Sequence, residues 1–170
     1  MKRIYLPFLV FFFFVFEGTV VQVFAPERFG FDTVVVPHFV MIIILFVAIY
    51  VSIPQAIVYS IFAGLLYDVV YTDLIGVYMF SMAVTTYVIA LCAKVIHTNV
   101  IVGLLFVLIA ETMLDFMIYG IYTLVGIVNM PVNVFLFERL FPSFILNGVF
   151  FILLYFPMRR LTDQLKEMET

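Results

Sequence analysis

Residues 61–76 read IFAGLLYDVVYTDLIG. In this stretch Gly64 stands one helical turn before Asp68, and Asp73 and Gly76 follow directly. The sequence on either side is almost continuously apolar. The stretch therefore poses two questions: what kind of protein has such apolar flanks, and why it keeps a carboxylate between them.

The composition predicts an integral membrane protein. Of the 170 residues, 66% are hydrophobic and 11% are charged, and the mean hydropathy is +1.28. Soluble domains carry about 25% charged residues. Apolar runs of about 18 residues or more are typical of membrane-spanning helices. Since lipid admits only helices or closed barrels, we expect an all-α, polytopic bundle with no room for a soluble catalytic domain.

Proline, glycine and polar residues divide the chain into six predicted spans that form one domain over residues 1–170. The N-terminal run is interpreted as a retained helix, because it is longer than the apolar core of a signal peptide. The start of the sixth span is unclear, since Glu138, Arg139 and Pro142 interrupt its pattern. Residues 25–33, APERFGFDT, form a polar connection, and residues 158–170 a short cytoplasmic tail. The predicted spans are about 4–24, 34–51, 54–70, 77–93, 100–125 and 134–157.

The basic residues predict the orientation. An even number of spans places both termini on the same side, and basic residues prefer the cytoplasmic side. Of the basic residues, only Arg28 and Arg139 are predicted to lie on the opposite side. We therefore expect a multi-pass protein of the cell membrane with both termini in the cytoplasm. The residues on the cytoplasmic side are Lys2, Arg3, Lys94, Arg159, Arg160 and Lys166.

Four carboxylates fall at similar depth within the predicted spans. At a rise of about 1.5 Å per residue, they lie roughly 17–23 Å from the cytoplasmic face. A charge at such depth costs at least about 2.5–3.5 kcal/mol, so we expect these groups to face the bundle interior, water or a partner. Glu111 and Asp115 share one helix face because they are four residues apart. The four are Glu17, Asp68, Glu111 and Asp115.

These carboxylates and Arg139 predict a polar layer, in which Arg139 pairs with one of the acids. Three interpretations are open: the layer fixes the helix register, it couples the bundle to a partner, or it lines an ion pathway. Gly64 allows close approach of a second helix, as small residues do in membranes. The stretch around it then acts as a packing face pinned by Asp68, and Gly76 suits the turn that follows.

No set of residues in the sequence indicates catalysis, a metal or a cofactor. Glu111 and Asp115 lack an accompanying nucleophile or metal ligand, so we expect no enzyme activity. His38 and His97 are predicted to lie near helix ends in interfacial positions. The single cysteine, Cys92, is expected to pack as a small hydrophobic residue.

Residues 64–89, GLLYDVVYTDLIGVYMFSMAVTTYVI, resemble the central segment of the rod shape-determining protein MreD family. That family shows a Gly-Leu-Leu-x-Asp core, a short turn and then a Leu-Gly or Leu-x-Gly step. The opening, MKRIYLPFLVFFFFVFEG, resembles the Gram-positive, Bacillus-like members. Gly64, Asp68 and Gly76 occupy the signature positions, with a turn one residue looser than its tightest form.

The resemblance implies a non-catalytic membrane scaffold in the elongasome, which builds the lateral cell wall. It implies docking of an MreC-like bitopic protein, and through it links to a RodA-like glycosyltransferase, a class B penicillin-binding protein and MreB filaments. No nucleic-acid partner is expected. The resemblance also implies a fold similar to the six-helix substrate-binding components of energy-coupling-factor transporters.

Two other functions remain as alternatives. One is a substrate-binding component of a vitamin-type transporter, against which the bulky first span argues, because such components present small residues there. The other is an intramembrane enzyme or proton carrier that uses Glu111 and Asp115.

Overall fold

The computed structural model describes residues 5–23 and 34–166, and all regular structure in these ranges is helical. The predicted connection at 25–33, the first four residues and the last four lie outside the described residues. The sixth helix, α6, consists of three consecutive pieces: Val132–Val134, a π-helical segment Phe135–Leu140, and Phe141–Lys166. The preceding helices are α1 (Tyr5–Val23), α2 (Phe39–Tyr50), α3 (Ile53–Tyr71), α4 (Val77–Val95) and α5 (Val100–Leu124).

Four of the helices are long and apolar enough to cross a membrane, as judged by length and composition. They are α3, α4, α5 and α6. The other two, α1 and α2, are apolar over Leu6–Val20 and Phe39–Tyr50. The chain is thus a multi-pass helical protein, in which the helix of the second predicted span has only 12 residues.

Helix α2 is the core of the bundle. Every residue from 39 to 48 is buried, because α1, α3, α4 and α6 pack around it. Neighbouring outer helices also pack in the order α1, α3, α4, α5, α6. Among the described residues, α6 and α1 do not pack against each other to a comparable extent. The rings of Phe13 on α1 and Phe150 on α6 do meet, with centroids 5.6 Å apart. The outer helices therefore form a ring around α2 that is open at one seam, between α1 and α6.

The helix of the second predicted span begins several residues after the predicted start of that span at about residue 34. Residues 34–38 are not helical, and α2 begins at Phe39. Pro37 lacks an N–H group and disfavours a helical conformation at the residue before it. The backbone here bonds to α6 instead: Val34 N donates to Glu138 O at 2.7 Å, and Val36 N donates to Ser143 Oγ at 2.9 Å. The remaining 12-residue helix is only about 18 Å long.

The interrupted pattern at the start of the sixth span corresponds to a π-helical segment. Residues Phe135–Leu140 are π-helical, a wider turn that occurs mostly as a short insertion within α-helices and often at functional sites. Arg139 lies in this segment. At its other end, α6 continues past Pro157 to Lys166, so that the predicted tail from residue 158 begins as helix.

Candidate functional site

Asp68 binds the N-terminal end of α4. Its Oδ2 accepts hydrogen bonds from Gly76 N at 2.8 Å and Met79 N at 3.1 Å, and its Oδ1 accepts from Tyr78 N at 2.8 Å. The side chain is fully buried. The first N–H groups of a helix have no partner within it, and the helix dipole favours a negative charge there. Asp68 supplies both the acceptors and the charge from the preceding helix.

Gly64 and Gly76 make this contact possible. A Cβ atom on Gly64 would overlap the Met79 Cα atom and lie 2.6 Å from Met79 N, so only glycine lets α3 approach the α4 backbone this closely. Gly76 has φ 107°, a conformation that glycine adopts without steric cost. The three signature positions thus form one local unit, which we call the α3–α4 lock.

Glu17 holds the start of α2 in a similar way. Its Oε2 accepts a hydrogen bond from Val40 N in the first turn of α2 at 3.2 Å. On the other side of the chain, Asn147 of α6 accepts from His38 N at 2.8 Å and donates to Val36 O at 3.0 Å. The non-helical segment before α2 is therefore paired to side chains on α6 rather than left unsatisfied in an apolar environment.

Asp115 of α5 lies between two basic groups. Its Oδ2 is 3.3 Å from His38 Nε2, and its Oδ1 is 3.5 Å from a terminal guanidinium nitrogen of Arg139. A carboxylate only accepts hydrogen bonds, so the His38 ring donates through Nε2–H. The Asp115 side chain is completely buried, whereas that of Arg139 is 30% exposed. This group joins α5, α6 and the residue before α2.

Glu111 lies one turn from Asp115 and is 1% exposed. It is close enough to His38 and Asp115 to interact with both electrostatically. Neither of its carboxylate oxygens accepts a hydrogen bond of good geometry from the residues that the structure describes. Glu111 is therefore an incompletely satisfied group at the centre of the bundle.

The structure places the predicted site residues in two groups. Gly64, Asp68 and Gly76 form the α3–α4 lock. The second group, which we call the polar layer, contains the remaining residues from the sequence prediction together with two that it did not assign to a site. These residues are Glu17, Glu111, Asp115, Arg139, His38 and Asn147.

One sequence interpretation, that of His38, needs correction. His38 was expected at the membrane interface, but it is 4% exposed and bonded to Asp115. An ionisable residue within a predicted span is by default a candidate for function, and this was the available signal. Cys92 is exposed on the outer surface of α4, where its expected role as a small hydrophobic residue stays a prediction. His97 is exposed near the end of α4.

The chemistry of the polar layer is that of charge pairing. Among the described residues, no group of three or more histidine, cysteine, aspartate or glutamate side chains has the geometry to hold a metal ion. Glu17 binds the start of α2, and Asp115 pairs with His38 and with Arg139. The arrangement fixes the relative positions of α1, α2, α5 and α6.

Taken together, these features define an all-helical, multi-pass membrane protein whose buried charges join its own helices. The chain belongs to the MreD family: the model of the rod shape-determining protein MreD matches residues 2–165. It is also 33% identical to the rod shape-determining protein MreD of Bacillus subtilis (strain 168) over 167 residues, which cover 98% of this chain and 97% of the relative. The resemblance drawn from residues 64–89 is thereby confirmed, and with it a role in determining rod shape. No solved structure matches this chain.

Proposed function

We propose that this protein is a non-catalytic membrane scaffold of the complex that synthesises peptidoglycan during cell elongation, and that it docks the single membrane helix of an MreC-like partner. Through that partner it connects to a RodA-like glycosyltransferase, a class B penicillin-binding protein and MreB filaments. Membership in the MreD family supports a role in determining cell shape, which is the cellular process of this proposal. The protein lies in the cell membrane with six spans, and both termini are in the cytoplasm.

Internal pairing of the charged groups supports a scaffold role. Asp68, Glu17 and Asp115 each bind another helix of the same chain. The outer surfaces of the described helices carry large apolar side chains, such as Phe62 and Leu153. A partner helix would therefore meet an apolar surface on a bundle whose shape is set from within. In this proposal the polar layer and the α3–α4 lock hold the docking surface in place without touching the partner.

The open seam is the observation that carries the docking site. Helices α1 and α6 flank an apolar groove of about 700 Å³, which is bordered by Phe39 of the buried α2. Elsewhere in the ring, consecutive outer helices pack against one another. One additional apolar helix at the seam would complete the ring and cover the exposed side chains of Ile145 and Val149 on α6. The residues that border the groove are Phe16, Val20, Val35, Pro37, Phe39, Pro142, Ile145, Leu146, Val149 and Phe150.

Site-directed crosslinking tests this placement. The chain has a single cysteine, so a Cys92→Ser variant provides a cysteine-free background. Val149→Cys puts a thiol at the groove, and Val58→Cys puts one on the exposed face of α3 as the matched control. Both valines are more than half exposed, at 53% and 62%. In native membranes with the MreC-like partner of the same organism, we expect Val149→Cys to crosslink several times more than Val58→Cys.

The outcomes separate the site from the function. Equal crosslinking at both positions, or more at Val58, would contradict the seam as the docking surface. Absence of any crosslink together with failure to co-purify the partner would contradict the scaffold proposal itself. If a lipid chain occupied the groove instead, Val149→Cys would not crosslink to the partner even when the partner co-purifies. That result would contradict the seam as the docking surface.

A further inference from the structure

Glu111 on α5 differs from the other acids of the polar layer because it lacks a hydrogen-bond donor. Glu17 accepts a bond from Val40 N, and Asp115 accepts one from His38 Nε2. Glu111 is only 1% exposed, and neither of its oxygens accepts a bond of good geometry from the residues that the structure describes. A carboxylate without donors loses its solvation on burial, and a buried acid in this situation becomes neutral instead of staying charged.

The charges around Glu111 do not offset a charge on it. Its electrostatic neighbours are His38 and Asp115. Asp115 already pairs with His38 and with Arg139, and the His38 ring donates through Nε2–H in its neutral form as well. An ionised Glu111 would therefore place a second negative charge one helical turn from Asp115. The other titratable groups that interact with this cluster are acids too: Glu17 on α1 and Tyr78 on α4.

Glu111 also lies beside the groups that hold the non-helical segment before α2. Asn147, which is close to Glu111, accepts from His38 N and donates to Val36 O. Ser143 Oγ accepts from Val36 N. A separation of this segment from α6 would therefore change the apolar groove at the seam. Three residues in or next to the segment border that groove: Val35, Pro37 and Phe39.

We propose that Glu111 is a proton-binding site, and that its bound proton keeps the segment before α2 attached to α6. The neutral acid needs no counter-charge, and its O–H group can donate to a neighbouring acceptor. The carboxylate needs donors that the closed bundle does not supply, so loss of the proton requires the polar layer to open and admit water. The consequence for partner docking rests on the proposed function, whereas the proton site and the release of the segment do not.

Infrared spectroscopy of the purified full-length protein tests the proton site. A neutral carboxylic acid and a carboxylate have separate carbonyl bands, and exposed acids are ionised at neutral pH. We expect the spectrum of the parent protein minus that of Glu111→Gln to contain the band of one neutral acid. The matched control, Asp73→Asn, changes an exposed acid and should leave that band in place. A carboxylate band in the difference spectrum of Glu111→Gln would overturn the proposal.

Thermal unfolding of the same variant provides a second measurement. The amide of glutamine has the shape of the neutral acid, and it needs no counter-charge. We therefore expect Glu111→Gln to unfold at the temperature of the parent protein or above it. A clearly lower unfolding temperature would contradict a neutral Glu111, because it would show that a charge on this side chain stabilises the bundle.

Thiol labelling tests the release of the segment. In the Cys92→Ser background, Ser143→Cys places a thiol where the segment meets α6, and Ser60→Cys places one inside α3 as the matched control. Both serines are 0% exposed. Alkaline pH speeds the labelling of any accessible thiol, because more thiolate is present. Each cysteine is therefore compared with and without Glu111→Gln.

We expect a change from neutral to alkaline pH to increase the labelling of Ser143→Cys several times more with Glu111 than with Glu111→Gln. The labelling of Ser60→Cys should respond equally in both. An equal response of Ser143→Cys with and without Glu111→Gln would refute the release of the segment. A response of Ser60→Cys as large as that of Ser143→Cys would show general unfolding and would refute it as well. Partner crosslinking can fail while these results hold, so the docking proposal is tested separately.

Discussion

Replacing Asp68 with alanine removes the acceptor for three backbone N–H groups at the start of α4. A hydrogen bond to a charged group contributes about 1.5–3 kcal/mol to stability. The three bonds share one carboxylate, and the chain end of α4 can relax, so that their contributions do not simply add. We expect Asp68→Ala to lower the free energy of unfolding by about 3–5 kcal/mol, roughly the contribution of two such bonds.

Thermal unfolding of the purified protein in detergent, followed by circular dichroism, measures this effect. For a chain of this length each kcal/mol corresponds to about 2–4 °C, so we expect an unfolding temperature roughly 6–20 °C lower. The unfolding temperature of Asp68→Asn should lie between those of the parent protein and Asp68→Ala. Its amide oxygen keeps an acceptor for Tyr78 N, but its amide NH₂ group replaces the oxygen that binds Gly76 N and Met79 N.

The control is a second aspartate in the turn between α3 and α4. Asp73 is exposed five residues further along, and Asp73→Ala removes the same type of side chain from a solvent-facing position. Its effect should stay within about 0.5 kcal/mol, as for most surface substitutions. The reasoning is refuted if Asp68→Ala unfolds within 2 °C of the parent, by the conversion of about 2–4 °C per kcal/mol, or if Asp73→Ala is equally destabilised.

Three further predictions use the same unfolding assay. Gly64→Ala should be strongly destabilising, because the new Cβ overlaps backbone atoms of α4, whereas Gly120→Ala, with open space around it, should be neutral or slightly stabilising; equal effects would contradict the close approach. Asn147→Leu leaves the N–H group before α2 and a carbonyl oxygen unpaired, and should cost about 2 kcal/mol or more, with increased protease cleavage at residues 34–38. A double-mutant cycle with Asp115→Asn and Arg139→Gln should give a coupling of about 0.5–3 kcal/mol, and additive effects would show that the ion pair is not formed.

Local signals in the sequence suffice to predict the helices with clear boundaries. Helix α3 begins near Pro54, and α5 begins after Asn99, whose side chain accepts a hydrogen bond from Val102 N. Both boundaries lie within two residues of the predicted ones, since proline and asparagine act at helix starts through their own chemistry. The start of α2 is different. Residues 34–38 bond to side chains more than 100 positions away, and no local pattern contains that information.

The candidate site shows the same division between local and distant information. The spacing of Gly64 and Asp68 predicts a close packing face with a polar pin, and both residues take those roles. That the partner of Asp68 is the start of the very next helix does not follow from the spacing. His38 was missed because its role depends on Asp115, which is 77 residues away. The carboxylates of the polar layer were predicted from their cost in lipid, which does not depend on their partners.

The carboxylates follow a common arrangement in the three helical hairpins. Glu17 on α1 binds the first turn of α2, Asp68 on α3 binds the first turn of α4, and Asp115 on α5 pairs with Arg139 near the start of α6. In each hairpin, the acid thus fixes the position of the helix that follows. No water is available in lipid to bond the free N–H groups at a helix start, so leaving them unpaired is costly. The carboxylate of the preceding helix takes the place of water and links the two helices. The seam lies between α6 and α1, which are not consecutive in the chain. In the described ranges no carboxylate links these two helices. A partner helix could therefore insert at the seam while all three hairpins stay intact, which is the property that a scaffold built to accept one more helix requires.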